Sequence, residues 1–149
     1  MIEVQSLQKK YGDVLAVDGV SFRAEPGRIF GLLGPNGAGK TTTLGCISGL
    51  LQPSSGVIKV LGYDLAMDGR RARCQMGVVP QELALYEDLS ALENLSFWGG
   101  AYGLRGLDLK RRRREILAAT GLLDRAGEKV SQFSGGMKRR LNLACAMMH

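Results

Sequence analysis

No apolar run approaches the roughly 18 residues that a membrane-crossing helix needs. The nearest candidates are broken by Gly31, Gly34, Glu93 or Asn94. The start Met1-Ile2-Glu3-Val4 has no basic segment followed by an apolar stretch, so no signal peptide is expected. Cysteine is scarce: Cys46, Cys74 and Cys145 are odd in number, far apart and form no CxxC pair. That pattern argues against a disulfide framework or a zinc site and favours a reducing cytosol. No internal repeat, low-complexity tract or Ser- or Pro-rich linker divides the 149 residues, which points to one ordinary domain. At 45% hydrophobic and 23% charged, the chain is not wholly disordered.

What is abundant is glycine. Its 21 residues are about twice the usual share, and without a collagen-like period they must serve turns and close backbone approaches. Charge is concentrated rather than spread. Lys110 to Arg114 contribute five of the net six positive charges, whereas a DNA-binding surface would distribute them over a face. Such a run on a helix is first a solvated face; attraction to anionic lipid or to nucleic acid stays open beside that reading.

Alternation marks Ile2–Val4 and Val20–Phe22 as half-buried strands. After the Glu25-Pro26-Gly27 turn, Arg28 to Leu33 reads as a mostly buried strand. Lys40 to Ser48 reads as a helix stopped by Gly49 and the Pro53–Gly56 turn. Val57–Leu61 and Met76–Val79 are the next strand candidates. Beyond about residue 80 the pattern turns helical. Ser90 and Glu93 form a capping-box pair ahead of Leu92, Leu95 and Tyr102. Leu92, Leu95, Phe97, Trp98 and Tyr102 read as helix-core packing rather than a ligand pocket. Asp108 can cap a helix to Thr120, stopped by Gly121, with Leu109, Ile116 and Leu117 buried and an Asp108–Arg112 pair on its surface. Ser134 can cap a last helix whose Met137, Leu141, Ala144, Cys145 and Met148 share a face.

The segment Gly34-Pro35-Asn36-Gly37-Ala38-Gly39-Lys40-Thr41 fits G-x-x-x-x-G-K-[ST] in full. On the order of 0.01 such matches would arise by chance in a chain of this composition. The chemistry explains the pattern. Backbone N–H groups must converge on phosphate oxygens, and only glycine permits so tight a curl. The helix that follows aims its N-terminal amides and positive dipole end at the same anion. Lys40 would carry its ammonium to the β- and γ-phosphates and Thr41 its hydroxyl to Mg²⁺.

Taken in order, Gly34 to Thr42, Val78-Val79-Pro80-Gln81 and Phe133-Ser134-Gly135-Gly136-Met137-Lys138-Arg139-Arg140-Leu141 resemble the motifs of ABC transporter ATP-binding subunits. The likeness covers essentially the whole chain and is nearest to the drug- and antibiotic-export branch. It implies an α/β P-loop NTPase fold: an incomplete RecA-like core, an antiparallel β subdomain and an α-helical signature subdomain. Residues 1–149 would be the N-terminal part of one ATP-binding domain, with about 1–82 the β-rich core and about 83–149 the helical subdomain. By the same likeness Tyr11 stacks on adenine, a contact worth roughly 1–3 kcal/mol, and Val17 lies beside the base. Gln81 reaches Mg²⁺ or the attacking water, and residues 83–89 meet a coupling helix of a membrane subunit. Ser134, Gly135 and Gly136 meet the γ-phosphate held by a second ATP-binding subunit, head to tail. Plainer readings stand beside these: Tyr11 as a turn residue, Gln81 as a polar strand end, Ser134 as a simple helix cap.

The family pattern continues with an apolar strand ending in Asp-Glu, then a further Asp and a switch histidine. None of these occurs here, and His149, the sole histidine, cannot take the switch role. The expectation is a fragment of a longer ATPase that turns over little ATP alone and aggregates through unpaired strand edges. With MgATP as cofactor, the intact protein would work with permease subunits at the cytoplasmic face of the cell membrane. A soluble ABC-type ATPase acting on nucleic acid or the ribosome, and a non-catalytic ATP-binding module, are the alternatives.

Overall fold

The structure, a computed structural model, describes residues 1–149. The chain forms two compact units, Met1–Met76 and Gly77–His149.

The first unit is built on strands β1 (Ile2–Tyr11) and β2 (Val14–Ala24), helix α1 (Lys40–Ile47), strands β3 (Ser55–Val60) and β4 (Tyr63–Asp64), and helix α2 (Gly69–Cys74). The sheet is antiparallel in the order β2-β1-β3-β4. A two-residue turn, Gly12-Asp13, joins β1 to β2 and sets Tyr11 opposite Val14. Hairpin pairing is local, so β1 and β2 zip well beyond the short segments that alternation marks, and Val4 and Leu7 are buried from β1. Val4, Leu7, Val17 and Ile58 from the strands close on Cys46 and Ile47 from α1, with Ile2, Val20, Phe22 and Leu51 at the margin.

Two strand expectations fail. Residues 28–33 and 76–79 form no strand, and Ile29 is 103% and Leu33 91% exposed. Apolar content makes Arg28–Leu33 look buried, yet a buried strand needs hydrogen-bonded neighbours. No segment of these 149 residues pairs with it. Its one aromatic contact is Phe30 stacked on Phe22, with centroids 4.7 Å apart.

The second unit holds α3 (Ala91–Ala101), α4 (Gly106–Ala119), two 3₁₀ turns (Leu123–Arg125 and Val130–Gln132) and α5 (Gly135–Ala146). Leu95, Ile116, Leu117, Leu122, Val130, Phe133, Leu141, Ala144, Cys145 and Met148 form its core. Burial pushes the Cys145 thiol up to about 12, so it packs as an inert apolar side chain. Ala91, Asn94, Leu95 and Gly99 are the buried positions of α3. Their i, i+3, i+4, i+8 spacing leaves Leu92 and Phe97 on the flanks, 36% and 49% exposed, rather than in the core.

Ser90 caps α3 as its pattern predicts. The hydroxyl accepts from the Glu93 amide at 3.2 Å, and the Glu93 carboxylate accepts from the Ser90 amide at 2.8 Å. The hydroxyl and main-chain hydrogen bonds from Ser90 hold the Glu93 carboxyl below its ordinary value of 4.5. Ser90→Ala is expected to cost about 1 kcal/mol in urea unfolding at neutral pH. Because the Glu93 value is lowered on folding, its stabilisation is present above pH 4.5 and lost as the pH falls through the folded value. The acid-induced loss should therefore be smaller in Ser90→Ala than in the parent, and equal losses would rule this linkage out.

At α4 the helix starts earlier than expected. Arg105 is its N-cap residue and Asp108 lies inside the first turn without capping it. There the Asp108 carboxylate meets Arg111 at 2.9 Å, one turn on, and Arg112 pairs with Glu115 at 3.7 Å instead. Arg112 also donates to the Met147 carbonyl at 2.7 Å, and Arg113 donates to Ser96 Oγ on α3. Only Lys110 and Arg114 of the basic run project without such partners, beside the exposed Leu107 and Ala118. The Arg112 and Arg113 bonds make that run part of the seam of α4 with α3 and the chain end, as well as a solvated face.

Candidate nucleotide site

In the first unit, residues 34–39 curl between the exposed 28–33 segment and α1. Gly37 and Gly39 both have left-handed backbone, φ 83° and 77°. The Ala38 amide donates back to the Pro35 carbonyl at 3.3 Å. Lys40, the first residue of α1, folds its ammonium under the curl and donates to the carbonyls of Gly34 at 2.8 Å and Pro35 at 2.6 Å. Asn36 sits exposed at the tip. Gly39 is the N-cap residue of α1, no side chain accepts from the first turn, and no acidic residue lies in it. The first-turn amides and the helix dipole are thus left for an anion. Thr41 is exposed and Thr42 half-buried, while Thr43 points into the core.

Gly39 also locks the loop to the sheet. A Cβ there would lie 2.3 Å from the Ala16 carbonyl oxygen and 3.1 Å from Val17 Cγ2. Val17, buried in β2, therefore sits directly against the last glycine of the loop. Tyr11 ends β1 and is 47% exposed. The ammonium of Lys9 lies 5.0 Å from its ring centroid and is itself tied to the Gln52 carbonyl at 2.8 Å. A cation over a ring is favourable and restrains it. The structure thus brings Val17, Gly34, Pro35, Gly39 and Lys40 together.

The second unit carries the remaining candidates. Ser134 caps α5, its hydroxyl accepting from the Met137 amide at 3.3 Å, with Gly135 and Gly136 exposed behind it. The helix buries Leu141, Asn142, Ala144 and Cys145. Gln81 lies in an exposed turn, and its carbonyl accepts from Arg139 of α5 at 3.0 Å. Gln81 and Ser134–Gly136 are thus joined through one helix.

The sequence profile of the ABC transporter family matches residues 17–149. The chain belongs to that family. It is 49% identical over its full length to the linearmycin resistance ATP-binding protein LnrL of Bacillus subtilis strain 168, spanning 48% of that protein. It is 44% identical, again over its full length, to the probable multidrug ABC transporter ATP-binding protein YbhF of Escherichia coli K12, spanning 26% of it. A solved structure described as the ATP-binding subunit of an ABC transporter superposes with a TM-score of 0.85 at 34% identity, over 99% of this chain and 62% of that one. The chain thus spans about half or less of the curated relatives it matches. The fold is the α/β P-loop class of that structure, of which the antiparallel sheet and the α3–α5 helical unit are the parts described above.

Three residues that contact the candidate residues or the turn beside them escape a reading by motif. Lys9 meets Tyr11 because residues two apart on a strand share a face, which shows only once β1 is known to run on to Tyr11. Asn94 and Asn142 are buried and hold the turn that follows Gln81, Asn94 accepting from the Tyr86 amide at 2.9 Å and Asn142 from the Ala84 amide at 3.2 Å. A polar residue at an apolar helix position is the one visible signal for both.

Proposed function

We propose that this chain is the nucleotide-gripping part of an ABC exporter's ATP-binding subunit. Residues 34–41 hold the triphosphate of MgATP. What carries this reading is the uncapped N-terminus of α1 behind a glycine curl whose lysine is already drawn in beneath it. A phosphate chain can take the first-turn amides and offers the Lys40 ammonium a stronger acceptor than two neutral carbonyls. Tyr11 and Val17 flank the base.

The exposed Thr41 hydroxyl at the start of α1 suits a magnesium ion that arrives with the nucleotide. Thr41 and Gln81 offer neutral oxygens, and Mg²⁺ commonly keeps water and phosphate as its other ligands. When bound, the ion neutralises charge on the β- and γ-phosphates. Gln81 supplies an amide that donates and accepts beside them without adding charge. Ser134, Gly135 and Gly136 reach the γ-phosphate held by a second subunit, head to tail. Hydrolysis in the intact protein then drives export through permease partners at the cytoplasmic face of the membrane. The resistance and multidrug names of the relatives favour export over uptake.

Calorimetric titration of the intact protein separates this from a generic anion site. MgATP is expected to bind saturably, and AMP at least about 100-fold more weakly because it lacks the phosphates that meet Lys40 and the loop amides. Equal affinity for ATP and AMP, or no heat with either, would discard the reading.

A further inference from the structure

One guanidinium holds both peptide planes around Gln81. Arg139 Nη1 donates to the carbonyl of Pro80 at 3.0 Å and to that of Gln81 at 3.0 Å. These carbonyls belong to the peptide groups on either side of the Gln81 Cα, so fixing both fixes the direction in which its side chain leaves the backbone. Arginine suits the task. It is always charged, its N–H donors are set in a rigid plane, and bonds from a cation to carbonyls are stronger than neutral ones.

The turn has little else to define it. Residues 77–89 form no helix or strand, and neighbouring side chains supply the order. From α5, Lys138 pairs with Glu87 at 2.6 Å and Asn142 accepts from the Ala84 amide at 3.2 Å. From α3, Asn94 both accepts from Tyr86 N at 2.9 Å and donates to Tyr86 O at 3.0 Å. Arg139 alone acts on the Gln81 peptides. It sits on the helix that Ser134 caps, little more than one turn beyond Gly135.

We propose that Arg139 is a positioning residue that aims Gln81 from the signature helix, so that Gln81, at the nucleotide this chain holds, and Ser134–Gly136, at the one a second subunit holds, are set as one piece. The proposal rests on the reading of Gln81 given above. Nucleotide grip belongs to Lys40 and its loop, and Arg139 acts on the step that needs Gln81 in place.

The test uses the intact protein in four forms besides the parent: R139M, R139K, Q81A and the double variant R139M/Q81A. R139M is expected to lower kcat about ten- to hundredfold with KM changed less than about twofold. R139K should recover most of the rate, because an ammonium can also donate to both carbonyls. The double variant should be no slower than Q81A, since Arg139 works through Gln81. Losses that multiply, or an R139K as slow as R139M with Tm lowered in step, would reduce Arg139 to a scaffold residue and overturn the proposal. Hydrogen exchange in nucleotide-free protein judges the clamp separately. R139M frees the start of the turn, so exchange at the Ala84 amide, three residues past Gln81 and held there by Asn142, should speed at least about tenfold while α5 amides stay protected, and unchanged exchange would overturn it. Absence of MgATP binding in the parent would instead strike the proposed function and leave the exchange result to stand by itself.

Discussion

Lys40→Met in the intact protein is expected to weaken MgATP binding about 100-fold, the loss of two charge-assisted hydrogen bonds worth roughly 1.5 kcal/mol each. The folded chain should scarcely notice. The Lys40 ammonium bonds only the Gly34 and Pro35 carbonyls, in a loop that is largely exposed. Water replaces it there at little cost, whereas a phosphate chain has no substitute for a cation drawn in beneath the curl. Calorimetry and thermal melting on the same samples separate the two effects. Binding lost with Tm retained supports the role of Lys40, and binding retained would remove the central support for the phosphate reading. A parallel fall in both would show that Lys40 holds the loop together instead.

Gly39→Ala should be among the most damaging single-methyl changes in the first unit. Its backbone is left-handed at φ 77°, which costs an alanine about 1–2 kcal/mol. The new methyl would also stand 2.3 Å from the Ala16 carbonyl oxygen, so loop and β2 must part. Forced separation of packed groups adds about 1–3 kcal/mol, for a total near 3 kcal/mol. Gly37→Ala is the natural control, with φ 83° and open space around the added methyl. It should lose only the conformational part, about 1–2 kcal/mol. Urea unfolding of both variants checks this, and equal losses would mean that Gly39 is not wedged against β2. MgATP affinity should fall with Gly39→Ala as well, because parting the loop from Val17 moves the phosphate curl away from the residue proposed beside the base.

Features whose partners lie within a few residues were legible in the chain. The Ser90–Glu93 box, the Ser134 cap, the start of α1 at Lys40 and the glycine curl before it all form within a single turn. Their residue types report their geometry directly, since a cap or curl needs no distant neighbour. Asp108 shows the margin of error. It is a good cap residue, but the helix opens at Gly106 and the carboxylate turns to Arg111 instead.

Features that depend on what lies alongside were not legible. Arg28–Leu33 has the composition of a buried strand, but a strand exists only where another segment supplies hydrogen bonds, and none does so here. Leu92 and Phe97 have core-like side chains, but the direction from which α4 and α5 approach α3 leaves them on its flanks. Arg139 stands in plain view inside the signature segment, yet the Gln81 carbonyl it binds is 58 positions away. The residues therefore declare a glycine curl that opens α1 and two capped helices on their own, because short-range backbone chemistry is written in residue type. Which groups those elements hold in place, Gly39 against Ala16 and Gln81 under Arg139, was settled by packing, because contact across long stretches of chain depends on where the whole backbone runs.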